Sequence, residues 1–155
     1  MAKSTQAQAA ALIRKELKAN GIKGSVRSSQ ASMMNAVDVT LINPLPATIK
    51  AVTEYANQYQ YGSFNSMEDL YEYSNRRKDI PQVKYVSVDP DYTDDMYQAA
   101  WDHCRDFYAD CADLPESYIE ARDLRVGDEW VANRVHKTLR NEGPFWTNFK
   151  PRIAA

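Results

Sequence analysis

The run Val83-Lys-Tyr-Val-Ser-Val88 is followed by Asp89-Pro-Asp-Tyr-Thr-Asp-Asp95 and by a patterned stretch that continues to Asp113. β-Branched and aromatic residues dominate the first run, which favours a β-strand. Successive side chains of a strand point to opposite faces, and apolar groups here fall on both faces. We therefore expect an inner strand of a sheet, which Asp89-Pro90 ends.

A helix is predicted from about Thr93 to Cys111, because apolar residues there recur every three or four positions. Acidic side chains at its start suit the free N–H groups and the dipole of a helix N-terminus. The apolar face would comprise Met96, Tyr97, Ala100, Trp101, Cys104, Phe107, Tyr108 and Cys111. Four aspartates share another side of this pattern: Asp102, Asp106, Asp110 and Asp113.

The composition predicts a folded, single domain over residues 1–155. The chain is 44% apolar, and its three tryptophans and ten tyrosines argue against disorder. No apolar run approaches the length of a membrane span and no signal-peptide core is present, so we expect a cytoplasmic protein. Cys104 and Cys111 on one helix would lie roughly 10 Å apart, too far for a disulfide, which fits that compartment.

Charge is segregated along the chain, although the net charge is only −2. Residues 1–86 carry a balance of +4, residues 87–129 a balance of −10, and residues 130–155 a balance of +4. Such a layout either pairs up within the fold or presents an acidic surface to a basic partner. The sequence leaves both explanations open.

The other elements follow from periodicity and turn residues. Residues 5–19 have a helical apolar stripe, which Asn20-Gly21 ends. The alternating runs at 22–28 and 36–42 are close enough to form an antiparallel hairpin. The remaining predictions are helices from Pro46, over 66–73, over 115–123 and from Gly127 to about Arg140, and then an aromatic and basic tail at 144–155.

This order of elements predicts an α+β fold. The hairpin and the strand at Val83 would form a small, mostly antiparallel three-stranded sheet with helices packed on it. The C-terminal half would be helical. A chain of this length can bury a core between such layers.

Two parts of the chain resemble a known type of domain. Ala9–Ser28, with its Ile-Arg-Lys-Glu-Leu-Lys helix, and the strand Val37-Asp-Val-Thr-Leu41 are similar to the large polyvalent protein-associated domains of phages and plasmids. Met67–Ser74 and Val83–Val88 are also similar, so the resemblance covers about residues 9–90. It implies a phage or mobile-element protein in a bacterial host cell and a role against host defence. It implies no catalytic residues.

The aspartate series is the first candidate site. Carboxylates spaced along a rigid helix can imitate a phosphate backbone for a protein that binds nucleic acid through Lys and Arg. We therefore predict a host protein or complex that normally binds nucleic acid as the partner of this surface. The predicted contact residues are Asp102, Asp106, Asp110 and Asp113. A helix face that is merely solvated is the open alternative.

A second candidate surface combines cations with aromatic rings. Its residues are Arg76, Arg77 and Lys78 near Tyr71 and Tyr73 and, in the tail, Trp146, Phe149, Lys150 and Arg152. Such sets can bind single-stranded nucleic acid by stacking and phosphate contacts. The alternative function is therefore a small nucleic-acid-binding accessory protein. The competing explanation is a tail whose rings dock on the protein body.

Metal and catalytic sites are not expected. The acidic candidates for a cation are Asp89, Asp91, Asp94 and Asp95, but no glycine there permits the turn of a calcium loop. The spacing of Cys104 and Cys111 matches no zinc module, and His103 points away from both. No phosphate loop or nucleophile elbow occurs. We expect a non-enzymatic protein without cofactor, and its many tyrosines leave a homodimer open.

Overall fold

The computed structural model describes residues 3–32 and 34–148. These residues form two compact units, each with its own hydrophobic core. The first unit comprises the chain up to Pro44 together with Thr48–Asp91, and the second comprises Leu45–Ala47 and the chain from Tyr92 onward. The span predicted as one domain thus contains two separate cores.

Helix α1 (Thr5–Ala19) forms as the sequence predicts. The Ser4 hydroxyl accepts a hydrogen bond from the Ala7 N–H at 3.4 Å and caps the helix. Gly21 then adopts a φ of +67°, a left-handed conformation that ends the helix at little steric cost. The buried side of α1 comprises Ala9, Ala10, Ile13 and Leu17. This side packs against the sheet of the first unit.

That sheet has the strand order β1-β2-β5, with β1 at Gly24–Ala31, β2 at Met34–Ile42 and β5 at Tyr85–Asp91. β1 and β2 are antiparallel, whereas β5 runs parallel to β2. Val37, Val39 and Leu41 of the central strand β2 are fully buried, as their alternation predicts. The expectation of an inner strand at Val83 is wrong, since β5 lies at the edge. That position tolerates Pro90 within the strand, because no neighbour needs its missing N–H.

Helix α2 (Pro46–Ala56) is followed by a small hairpin made of β3 (Ser63–Asn65) and β4 (Leu70–Glu72). The helix predicted over residues 66–73 is therefore wrong. Asp69 has a φ of +50°, which suits a tight turn and not a right-handed helix. In the extended conformation Tyr71 and Tyr73 lie two residues apart, and both reach the ring of Tyr61.

The second unit is mainly helical. Its elements are α3 (Asp94–Phe107), a 3-10 turn (Ala109–Cys111), α4 (Tyr118–Ala121), β6 (Arg125–Val126), β7 (Glu129–Trp130), α5 (Val131–Arg140) and α6 (Pro144–Asn148). The prediction that the long helix continues to Cys111 is wrong, because Tyr108 is extended, with φ −109° and ψ 121°. The last long helix also begins later than Gly127, which instead turns the β6–β7 hairpin with a φ of +59°.

The core of the second unit lies where α3 packs on α5. Trp101 at its centre is fully buried, and its indole N–H donates to the Pro115 carbonyl at 2.9 Å. The α+β class is confirmed, and three of the four strand pairs in the described residues are antiparallel. Among those residues, no helix combines the length and the apolar character that crossing a bilayer requires.

Candidate functional site

Helix α3 carries the first candidate surface. Asp102 and Asp106 lie one turn apart on this helix, and both are exposed. A separation of four residues places them about 6 Å apart along the helix axis. Asp102 accepts a hydrogen bond from Gln98 Nε2 at 2.9 Å, and neither carboxylate forms an ion pair within residues 3–32 and 34–148. We call Asp102 and Asp106 the acidic pair.

Asp110, the third predicted contact, is bound within the fold. Its Oδ1 accepts a hydrogen bond from Arg134 Nη1 at 2.7 Å. Arg134 Nε also donates to Glu129 Oε1 at 2.8 Å, and Lys137 Nζ donates to Glu129 Oε2 at 2.5 Å. The hydrogen bond from Arg134 lowers the pKa of Asp110, and those from Lys137 and Arg134 lower the pKa of Glu129. These four residues, the charge network, therefore neutralise part of the acidic segment internally.

Asp113, the fourth predicted contact, is exposed in the turn after the 3-10 segment. It lies beyond the end of α3, as Asp110 does. Of the four aspartates predicted on one helix face, the structure thus keeps the acidic pair together on α3 and places the other two on the segment that follows.

The metal-compatible side chains serve other purposes. No group of three or more His, Cys, Asp or Glu side chains in the described part of the chain is arranged to hold a metal ion. Cys104 Sγ contacts Thr138 Oγ1 at 3.4 Å, and Cys111 Sγ accepts from Arg134 Nη1 at 3.4 Å. Burial raises the pKa of both thiols, so they are protonated at neutral pH and pack as core residues.

His103 also packs as a ring. It stacks on Phe107 with 5.3 Å between ring centroids and meets Phe145 edge-on at 5.5 Å. Burial lowers the pKa of His103, so the imidazole is neutral at neutral pH. These rings line an open groove of about 370 Å³ that Glu129, Arg134 and Lys137 of the charge network also line.

The three residues of the basic run in the second candidate surface make different contacts. The guanidinium of Arg76 lies over the Tyr73 ring, 4.4 Å from its centroid. Arg77 forms a bidentate ion pair with Asp79, which raises the pKa of Arg77 and lowers that of Asp79. Lys78 is exposed. Arg76 is therefore the member of this run that joins an aromatic group.

Four tyrosine rings meet beside this run, and we call them the tyrosine cluster: Tyr61, Tyr71, Tyr73 and Tyr85. Tyr61 and Tyr73 are stacked, with centroids 5.5 Å apart and planes 11° apart. Tyr71 meets the other three rings edge-on at 5.3 to 5.9 Å. Burial raises the pKa of Tyr71 to about 12, so its hydroxyl stays neutral and donates to the Lys84 carbonyl at 2.7 Å.

Sequence reasoning missed three members of this surface. Tyr61 lies 15 residues before Arg76 in the chain, Lys84 and Tyr85 follow Lys78 by six and seven residues, and the fold brings all three to the rings. Lys84 Nζ lies 5.1 Å from the Tyr71 centroid and 5.6 Å from the Tyr85 centroid. The alternation Leu70-Tyr71-Glu72-Tyr73 indicates only Tyr71 and Tyr73, because it places these two rings on one face, and no local signal points to the other three residues.

The predicted tail is partly built into the second unit. Phe145 is buried, and the Trp146 indole N–H donates to the Leu139 carbonyl at 2.9 Å. These two rings therefore pack on the protein body, as the competing explanation held. Phe149, Lys150 and Arg152 lie outside the described residues.

Comparison with known proteins gives one match. The model of a family described as large polyvalent protein associated domain 29 matches residues 4–100, more than half of the chain. The match runs from α1 through the whole sheet of the first unit and ends within α3. Neither the curated proteins nor the solved structures contain a match.

Proposed function

Because the chain belongs to the large polyvalent protein associated domain 29 family, which is linked to phages and mobile elements, we propose that it is a non-enzymatic accessory protein that binds a host protein. The partner we propose normally binds nucleic acid and belongs to a bacterial defence system of the CRISPR or restriction type. The accessory protein would inhibit that system by occupying the nucleic-acid-binding surface of the partner.

The acidic pair on α3 is the observation that carries this proposal. Both carboxylates are exposed on a rigid helix and lack a cationic partner within the described residues, whereas Asp110 and Glu129 are neutralised by the charge network. Residues 92–148 hold twelve Asp and Glu against six Lys and Arg. An acidic surface of this kind attracts a protein whose own binding surface is rich in Lys and Arg.

Charge reversal at the acidic pair tests the proposal. A tagged pull-down from lysate of the bacterial host, with and without nuclease, identifies the partner, and binding is then measured with that partner purified. The variant Asp102→Lys with Asp106→Lys should weaken binding by about tenfold or more, because each change replaces an attraction by a repulsion. The loss should be larger at low ionic strength, since exposed charges are screened by salt.

A matched control separates a specific contact from net charge. Glu120→Lys with Glu142→Lys changes the charge of the protein by the same amount at two other exposed positions of the second unit. This control should bind nearly as the wild type does. If the variant at the acidic pair binds normally, or if the control loses as much affinity, α3 is not the contact surface.

A further inference from the structure

We propose that the tyrosine cluster of the first unit, together with Arg76 and Lys84, binds single-stranded nucleic acid. This activity would be separate from the proposed function, which uses α3 of the second unit. It depends on three features of the surface: ring area that bases can stack on, cations held at the rings without an acidic partner, and the position of Glu72 on the opposite face of the hairpin.

The ring area is exposed where the hairpin presents it. Tyr73 is 55% exposed and Phe64 is 53% exposed. Phe64 pairs with Tyr71 across the hairpin, and directly opposite residues share one face of a sheet. Tyr61 stacks on Tyr73 and the Arg76 guanidinium lies over the same ring, so Tyr73 and Arg76 are held together as one group on which a base can stack. Fixed aromatic rings stack on any base, because every base has a π-face.

The cations are anchored to these rings and lack an acidic partner. Arg76 lies over Tyr73, and Lys84 lies over Tyr71 and Tyr85. Within residues 3–32 and 34–148 neither cation forms an ion pair, whereas the neighbouring Arg77 is paired with Asp79. A cation that lies over a ring still has N–H groups that can donate to an anion. The phosphate next to a stacked base is such an anion.

The acidic residues of the hairpin face elsewhere or lie at a distance. Glu72 follows Tyr71 in strand β4, so it points to the opposite face of the hairpin from Tyr71, where Asn65 Nδ2 donates to its Oε1 at 3.0 Å. Glu68 and Asp69 lie in the turn, five and four residues from Tyr73, and four residues of extended chain span about 13 Å. The uncompensated charge at the rings is therefore positive. Rings and positive charge together favour a nucleic acid with accessible bases over an acidic peptide.

The test is fluorescence anisotropy of a labelled single-stranded oligonucleotide of about 16 nucleotides, as DNA and as RNA, titrated with the full chain. Tyr73→Ala should weaken binding about tenfold, because it removes the exposed stacking ring, and Tyr73→Phe should retain binding. Arg76→Ala should weaken binding as well and lower the slope of log affinity against log salt by about 0.7 for the lost phosphate contact.

Lys15→Ala is the matched control, since it removes an exposed cation of helix α1, which packs on the face of the sheet opposite to Tyr85. Binding that Tyr73→Ala and Arg76→Ala weaken, and that Tyr73→Phe and Lys15→Ala leave unchanged, would establish the surface. The proposal is overturned if the wild type binds neither oligonucleotide. Equal binding by wild type and Tyr73→Ala, equal binding of a duplex, or equally effective competition by polyglutamate would also overturn it, because the rings would then contribute nothing.

Discussion

At Arg134 the acidic middle segment and the basic C-terminal segment of the chain meet. Its side chain is only 17% exposed, it donates to Asp110 and Glu129, and it stacks over Tyr108 at 4.9 Å. A planar guanidinium can make these contacts at once, and the point charge of a lysine cannot. The charge segregation seen in the sequence is therefore resolved partly inside the fold.

Replacing Glu129 should test how much this network stabilises the fold. Glu129→Ala removes the acceptor of Arg134 and Lys137, and we expect it to lower the free energy of unfolding by about 1.5 to 3 kcal/mol. Urea denaturation at about pH 7 measures this loss. Glu120→Ala, at an exposed position outside the network, should change stability by less than about 0.5 kcal/mol.

The pH dependence of that loss has a defined sign. The pKa of Glu129 in the folded protein is lower than the ordinary pKa of a glutamate. The network therefore stabilises the fold fully at pH values above that ordinary pKa, and this stabilisation is lost as the pH falls through the folded-state pKa. The difference between wild type and Glu129→Ala should therefore be smaller at about pH 3 than at about pH 7. An equal difference at both pH values would show that packing, and not charge, is what the variant loses.

Among the elements, the β3–β4 hairpin shows what local sequence did not specify. Ser66-Met-Glu-Asp69 has the composition of a helix start, and local propensity alone favours that assignment. The hairpin forms because Tyr71 and Tyr73 gain contacts with Tyr61 and Tyr85. Those contacts join residues that are distant in the chain, and tertiary packing of this kind overrides local propensity.

Gly62 gives a direct test of how tightly this hairpin closes. A Cβ at Gly62 would lie 2.1 Å from the Glu72 carbonyl oxygen and 2.6 Å from Tyr71 Cε1. Gly62→Ala should therefore displace the hairpin, lower the free energy of unfolding by about 1 to 3 kcal/mol and weaken the near-UV circular dichroism of the tyrosines. Gly143→Ala is the matched control, because nothing lies within 4 Å of its added Cβ. If both variants match the wild type, the close approach at Gly62 does not constrain the hairpin.

The end of α3 shows a different limit of sequence reasoning. Tyr108 and Cys111 continue the apolar spacing of the helix, and Cys111 is indeed buried. Apolar spacing reports which side chains reach the core and does not report where the backbone leaves the helix. The positions of Asp102 and Asp106 could be predicted because both lie well inside the patterned helix. The hydrogen bond between Asp110 and Arg134 could not, because it joins positions 24 residues apart and has no local sequence signal.

For the whole molecule, composition indicated a folded chain but not its division into two cores. Strand β5 ends at Asp91 and the larger segment of the second unit begins at Tyr92, with no linker rich in Pro, Gly or Ser between these two positions. Domain boundaries are recognised in a sequence by such linkers, so the sequence around Asp91 and Tyr92 contains no signal of this boundary. The resemblance to a domain family could be read from the first unit, because helix α1 and the β1–β2 hairpin, which carry most of it, join residues that are close in the chain.

Two cores predict two separate groups of slowly exchanging amides. Strand β2 is hydrogen-bonded on both sides, and α3 packs on α5 around fully buried residues such as Trp101, Val135 and Leu139. Amides in such positions exchange only through the larger opening events, whereas the three-residue strands β3 and β4 should exchange much faster. Native-state hydrogen exchange followed by NMR measures this amide by amide. The prediction would be contradicted if all the slowly exchanging amides lay in one unit. The core of the other unit would then open too often to protect its backbone amides.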